Sequence, residues 1–121
     1  MKIAKVLKNV IVIAVFTSGY LVATVDAARV SRGKCLLEIN NKKYINGSCP
    51  ITLEDNGDFM IGASENEPLT YFAIISMTGK NTAEGFWNED KGANHAHTPL
   101  GNLVRKGACW QNNNVKVCAW K

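Results

Sequence analysis

The chain is expected to fold as an all-β domain, a small antiparallel sandwich or barrel of about six to eight short strands, stapled by disulfides. Short runs rich in Val, Ile, Leu, Phe and Tyr succeed one another after residue 27, separated by turn signals built from Asn, Gly, Asp and Pro. That spacing belongs to sandwiches and barrels. No window after residue 27 carries a sustained helical apolar period, which argues against amphipathic helices. Cys35, Cys49, Cys109 and Cys118 form an even set behind a start that has the layout of an export signal, which predicts two disulfides.

In chain order, Lys2, Lys5 and Lys8 give a positive start, residues 10–16 are a continuous apolar run, and Val25-Asp26-Ala27 ends the segment with small residues before a cut. This predicts a cleavable signal peptide over 1–27 and a single β domain over 28–121. A spanning helix wants about 20 predominantly apolar residues; the stretch 10–25 is interrupted by Thr17, Ser18, Gly19 and Tyr20. No stable membrane anchor is therefore expected after cleavage, and the protein is expected to be periplasmic or secreted. The first cysteine, Cys35, is far from the cut, which disfavours a lipid-anchored lipoprotein.

Residues 28–33 read as a loose basic arm, 34–39 as a strand and Asn40-Asn41 as a turn. Residues 43–45 return as a strand, and Asn46-Gly47 is a strong hairpin-turn signal. Residues 49–53 form a short strand, with Pro50 marking an edge or a strand start. Asp55-Asn56-Gly57-Asp58 turns, 59–63 is a strand, and 64–68 is an acidic loop. Residues 69–77 are the longest β-rich run and predict a central strand. Gly79-Lys80-Asn81 turns; 82–88 reads as a strand, with a short helix near 83–88 as the alternative. Residues 89–98 are a polar loop, and 100–110 and 115–120 are the last two strands, joined by 111–114.

Composition bounds the function. A chain of 121 residues holds one domain and excludes a multidomain enzyme. With 46% hydrophobic and 20% charged residues, wholesale disorder is excluded. The net charge of +4 falls to +2 once residues 1–27 are removed, with eleven Lys and Arg against nine Asp and Glu. That is too mild for nucleic-acid binding. The 94 residues left after removing residues 1–27 bury only about 60–65% of their chain surface on folding, so the core depends on covalent staples. Three cysteine connectivities are open. Cys35–Cys49 and Cys109–Cys118 would each close a short hairpin-like segment, whereas Cys35–Cys118 would tie the chain ends and constrain the unfolded chain more. The spacings do not match the short Cys pairs of zinc sites.

Three local features could carry chemistry. His95-Ala96-His97 would place two imidazoles on one side of a strand, where they could share a Zn²⁺ or Cu²⁺ ion. Two ligands fall short of a zinc site, and the bland alternative is a pair of loop histidines; Glu89 and Asp90 are the nearest carboxylates. Cys109 is a nucleophile candidate only if reduced. Asp55-Asn56-Gly57-Asp58 lacks EF-hand spacing and reads as a turn. No nucleophile elbow, zincin motif or phosphate-cradling loop is present, and no cofactor is expected. Charge is segregated: eight acids against Lys80 lie within residues 54–90, and no acid follows Lys91. Acidic loops of this kind can steer a cationic partner. Trp87, Trp110 and Trp120 lie in strand-like segments, where they serve as core plugs, although Trp87-Asn88 beside the histidine loop could form a binding platform.

Trp87-Asn88, the run His95-Ala96-His97-Thr98-Pro99-Leu100-Gly101, Gly107-Ala108-Cys109-Trp110 and Cys118-Ala119-Trp120 together resemble a family of small exported disulfide-containing proteins of Gram-negative bacteria without an assigned activity. That resemblance implies export and disulfides. In size and β character the chain also resembles the periplasmic inhibitors of c-type lysozyme, small β-barrels that insert loops into the lysozyme cleft. Gly62-Ala63-Ser64 with Tyr71, and Thr78-Gly79-Lys80, are loosely similar to their inhibitory loops. The segment 97–109 resembles the His, Gly and Cys motif of L,D-transpeptidases, with Trp110 where that family has an Arg.

Three functions emerge as expectations. The first is an exported non-enzymatic binding protein, an inhibitor of a basic hydrolase such as lysozyme, with Ser64, Glu65, Glu67, Trp87, Asn88, Glu89, Asp90, His95 and His97 forming the contact. The second is a metal- or small-ligand-binding protein centred on Trp87, His95 and His97. The third is a small cell-wall-related cysteine enzyme using Cys109.

Overall fold

A computed structural model describes residues 28–120; the signal peptide expected over 1–27 lies outside the described residues. Alternation of apolar and polar residues builds eight strands: β1 (Arg29–Ile39), β2 (Lys42–Leu53), β3 (Phe59–Ile61), β4 (Ala73–Met77), β5 (Thr82–Trp87), β6 (Thr98–Lys106), β7 (Cys109–Gln111) and β8 (Val115–Trp120). Each strand pairs antiparallel with its chain neighbour, and β8 pairs back onto β1, closing an all-β barrel. Closure satisfies every sheet edge internally. Among the described residues there is no helix, and so none long and apolar enough to cross a membrane.

The inward phase of each strand supplies the core. Leu37, Ile61, Ile75, Leu103 and Val117 are its largest fully buried apolar side chains. The outward phase of β1, β5, β6 and β8 carries residues such as Lys34, Glu84, Asn102 and Lys116, all exposed. That is the inverse of the apolar exterior of a bilayer-spanning barrel. One glycine is required for closure. A Cβ on Gly33 would lie 2.0 Å from the Trp120 carbonyl oxygen, so β8 approaches β1 this closely only past a residue without a side chain.

Both disulfides are the local ones. Cys35–Cys49 is buried inside the barrel and links β1 to β2. Cys109–Cys118 joins directly opposed residues of β7 and β8. Two structural disulfides indicate that the domain matures in an oxidising, exported environment.

Several element boundaries differ from expectation. The basic arm over 28–33 is strand: β1 starts at Arg29 and pairs with β2 along its whole length. Asn46-Gly47 is not a turn, because Asn46 and Gly47 pair with Leu36 and Cys35 in mid-ladder. The run 69–77 is strand only from Ala73, since β3 offers three partners and Ile61 already takes Ala73. Residues 100–110 are not one strand. Gly107, at φ 62°, turns the chain between β6 and β7. Residues 82–87 are strand, not helix. Pro50 is buried within β2 rather than at an edge; its carbonyl accepts from the Gly62 amide just beyond the end of β3. A strand residue's N–H and C=O point the same way, so the missing Pro50 donor faces a side where the ladder has already ended.

In a barrel of consecutive antiparallel strands the connections alternate between ends. The loops 62–72 and 88–97 therefore share one end with the Asn40-Asn41 turn and the 112–114 turn. The short turns 54–58, 78–81 and 107–108 share the other.

Candidate functional site

The loop end is assembled by Asn88, the residue directly after β5. It is completely buried. Its Oδ1 accepts from the Phe72 amide at 3.1 Å. Its Nδ2 donates to the carbonyls of Thr70 at 2.7 Å, Ala93 at 3.0 Å and Asp90 at 3.2 Å. One side chain thus fastens loop 62–72 to loop 88–97 and shapes the turn within the second loop. Backbone bonds reinforce it: the Asn88 amide donates to the Phe72 carbonyl at 3.3 Å, and the Gly92 amide to the Thr70 carbonyl at 3.0 Å. A buried amide with its acceptor and donors engaged rigidifies the segments it joins.

Beneath the loops, three rings seal this end. Tyr44 meets Trp87 at 4.6 Å between centroids and Tyr71 at 5.2 Å, and Tyr71 lies 6.0 Å from Trp87. The separations and tilted planes suit aromatic pairing. Trp87 is 6% exposed and belongs to the core. Trp87 and Asn88 therefore support the site from below and offer partners no surface of their own.

The carboxylates stand above this floor. Glu65, Glu67, Glu89 and Asp90 are exposed. Glu67 is ion-paired with Arg32, which also donates from Nε to the Ser48 hydroxyl at 2.9 Å, and this pair pins loop 62–72 against β1. Glu89 sits at φ 60°, a left-handed conformation rarely adopted by a residue with a side chain, and its Oε1 accepts from the Thr98 hydroxyl at 2.8 Å. Backbone strain of this kind persists where the surroundings enforce it and clusters at functional sites. Ser64 is half-buried and accepts from the Asn66 amide at 3.3 Å.

His95 and His97 are exposed in the loop that precedes β6 rather than within a strand. The His97 Nδ1 lies 3.2 Å from the His95 carbonyl oxygen. Among the described residues no group of three or more His, Cys, Asp and Glu could hold a metal ion. Cys109 is bonded to Cys118, and among the described residues no cysteine is free, so the domain has no thiolate to act as nucleophile. The structure thus brings Ser64, Glu65 and Glu67 to the same end as Glu89, Asp90, His95 and His97.

The two segments that loosely resemble inhibitory loops are separated by the barrel: Gly62-Ala63-Ser64 lies at the loop end and Thr78-Gly79-Lys80 at the opposite end, where sequence reasoning found no cavity. There the short turns leave a cavity of about 480 Å³, walled by side chains of β2, β3, β4 and β7 and bordered by Lys80 and Arg105. The available signal was the phase of β6, which puts Arg105 in the inward register of Leu103. Comparison with protein-family models, with curated proteins and with solved structures finds no match for this chain.

Proposed function

We propose that the protein is an exported, non-enzymatic binding protein, periplasmic or secreted after removal of residues 1–27, and that the loop end is its partner-binding surface. The partner is a basic protein, and its most concrete form is a lysozyme-like hydrolase. The observation that carries this reading is the Asn88 lock. It holds two long loops side by side with four exposed carboxylates, so a charged surface is presented without an ordering cost at binding. The left-handed backbone at Glu89 further favours this end, since strain there is maintained against a local cost. Glu65, Glu89 and Asp90 supply the charge that attracts a cationic partner, Glu67 holds its loop through the pair with Arg32, and Ser64, His95 and His97 supply hydrogen-bonding groups at the border.

A c-type lysozyme activity assay with the purified exported protein tests this directly. Inhibition at micromolar excess is expected, weakened about tenfold when Glu65, Glu67, Glu89 and Asp90 are all changed to their amides, and weakened further by salt. Full lysozyme activity at that excess overturns the lysozyme form of the reading. Binding unaffected by the four amide changes overturns the electrostatic one.

A further inference from the structure

We propose that the turn end of the barrel is a second, separate binding site, for a small amphipathic anion with one apolar tail and one carboxylate head. The cavity of about 480 Å³ falls within the roughly 300–1,000 Å³ of small-molecule sites. Leu53, Phe59, Met77 and Trp110 form the apolar part of its wall, and turn residues, Asn56 among them, form the polar part. Its charged lining consists of Lys80 and Arg105 alone, with no carboxylate among the lining residues.

The position of Arg105 is the informative feature. Leu103 points inward and is 1% exposed, and alternation along β6 puts Arg105 on the same side two residues on. Register pairs it with Trp110, which is itself in the core. The guanidinium carbon stands 5.9 Å from the centre of the Trp110 ring, and Nε donates to the Gly107 carbonyl at 3.1 Å. The side chain is thereby anchored at the mouth through one nitrogen and the ring. Among the described residues the ion pairs are Arg29–Asp55 and Arg32–Glu67, so neither Arg105 nor Lys80 is neutralised by a carboxylate. Of the acids in the neighbouring turn, Asp55 pairs with Arg29, the Asp58 Oδ1 accepts from the Met77 amide at 2.7 Å, and Glu54 is exposed outside the lining.

An inward-phase arginine above an apolar chamber matches a ligand that is apolar below and anionic above. A carboxylate can take the planar guanidinium fork and the Lys80 ammonium together. The tail displaces water from the half-buried Leu53 and Met77, which supplies the hydrophobic part of the affinity.

Sodium decanoate is the probe, titrated into the purified exported protein and followed by amide chemical shifts and calorimetry. Saturable one-to-one binding is expected, with shifts at Leu53, Phe59, Met77 and Trp110 and none at loops 62–72 and 88–97. Arg105→Gln and Lys80→Gln should each weaken it about tenfold, the loss of one charged hydrogen bond, while leaving the melting temperature within a few degrees of the parent. Decanol and decyltrimethylammonium should bind at least about tenfold more weakly than decanoate. Equal affinity for decanol and decanoate, or decanoate binding indifferent to both substitutions, overturns the anionic-head assignment. Absence of saturable binding, or shifts centred on the loop end, overturns the site itself. Capture on phosphatidylglycerol vesicles without binding of free decanoate overturns it in favour of a membrane-surface role.

Discussion

At one end of the barrel Tyr44, Tyr71 and Trp87 meet ring to ring and a single buried asparagine ties together connectors spanning 62–72 and 88–97. At the other end the connectors are the short turns 54–58, 78–81 and 107–108, and the chamber beneath them is unfilled by side chains. Both ends are cut from the same alternating strands. The difference lies in the length of the connectors. Long connectors can fold back to plug a mouth and still present an outer surface, whereas two- to five-residue turns can only border an opening. In the proposals above, the plugged end takes the protein partner and the open end the small molecule.

The largest effect that would break this contrast is at the tryptophans. Trp87→Ala should cost about 3–5 kcal/mol, because the packed rings around it cannot collapse. Trp110→Ala should cost less, about 3 kcal/mol, because it already borders a cavity that water can enter. Chemical denaturation measures both, and equal losses would mean that the two ends are packed alike.

Removing Cys35–Cys49 by paired Cys→Ala substitution should cost about 3 kcal/mol, and removing Cys109–Cys118 somewhat less, since it closes a shorter loop. Cys35 and Cys49 are also core residues, which widens the gap. Thermal melting of the two double variants ranks them, and the reverse order would show that the β7–β8 side holds the barrel closed.

Asn88→Ala sharpens the comparison. Orphaning the amide and carbonyls that it satisfies should cost about 2–3 kcal/mol. Hydrogen exchange should accelerate at Phe72 and Gly92 while Glu54 and Thr78, whose amides are bonded within the turn end, keep their rates. Acceleration at both ends alike would mean that Asn88 supports the barrel as a whole. Asp55→Asn should be the smallest effect, under about 0.5 kcal/mol, because Arg29 and Asp55 are 63% and 69% exposed. Urea unfolding checks it, and a loss above about 1 kcal/mol would make that pair a structural clamp of the turn end.

The β class, the presence of two disulfides and most turns were legible in the sequence because they are local; the cysteine pairing stayed open, and the expected strands at 43–45 and 49–53 are one strand, β2, whereas 100–110 spans two. Asn40 and Asn41, both at left-handed φ of 51° and 68°, form a two-residue hairpin turn as their residue types suggest. Asn46-Gly47 misled because eleven register pairs between β1 and β2 outweigh one turn-forming dipeptide. The β6–β7 turn was hidden because apolar residues stand on both sides of it, Leu103-Val104 before and Ala108-Cys109-Trp110 after, so that Gly107 read as a residue within a strand. The acidic loops and the histidine segment could be placed as loops, yet their meeting at one end depends on the alternation of connections in a closed barrel. Asn88 was singled out for a surface contact. Its burial comes from carbonyls of Thr70 and Ala93 converging on it, which no linear pattern encodes. The cavity was invisible for the same reason: its lining comes from strands and turns far apart in the chain.

Amide chemical-shift mapping with a c-type lysozyme tests the central assignment most directly. Shifts are expected at Ser64, Glu65, Glu67, Glu89, Asp90, His95 and His97, with the turns 54–58, 78–81 and 107–108 silent. Shifts concentrated on those turns, or none at any residue under micromolar lysozyme excess, would contradict it.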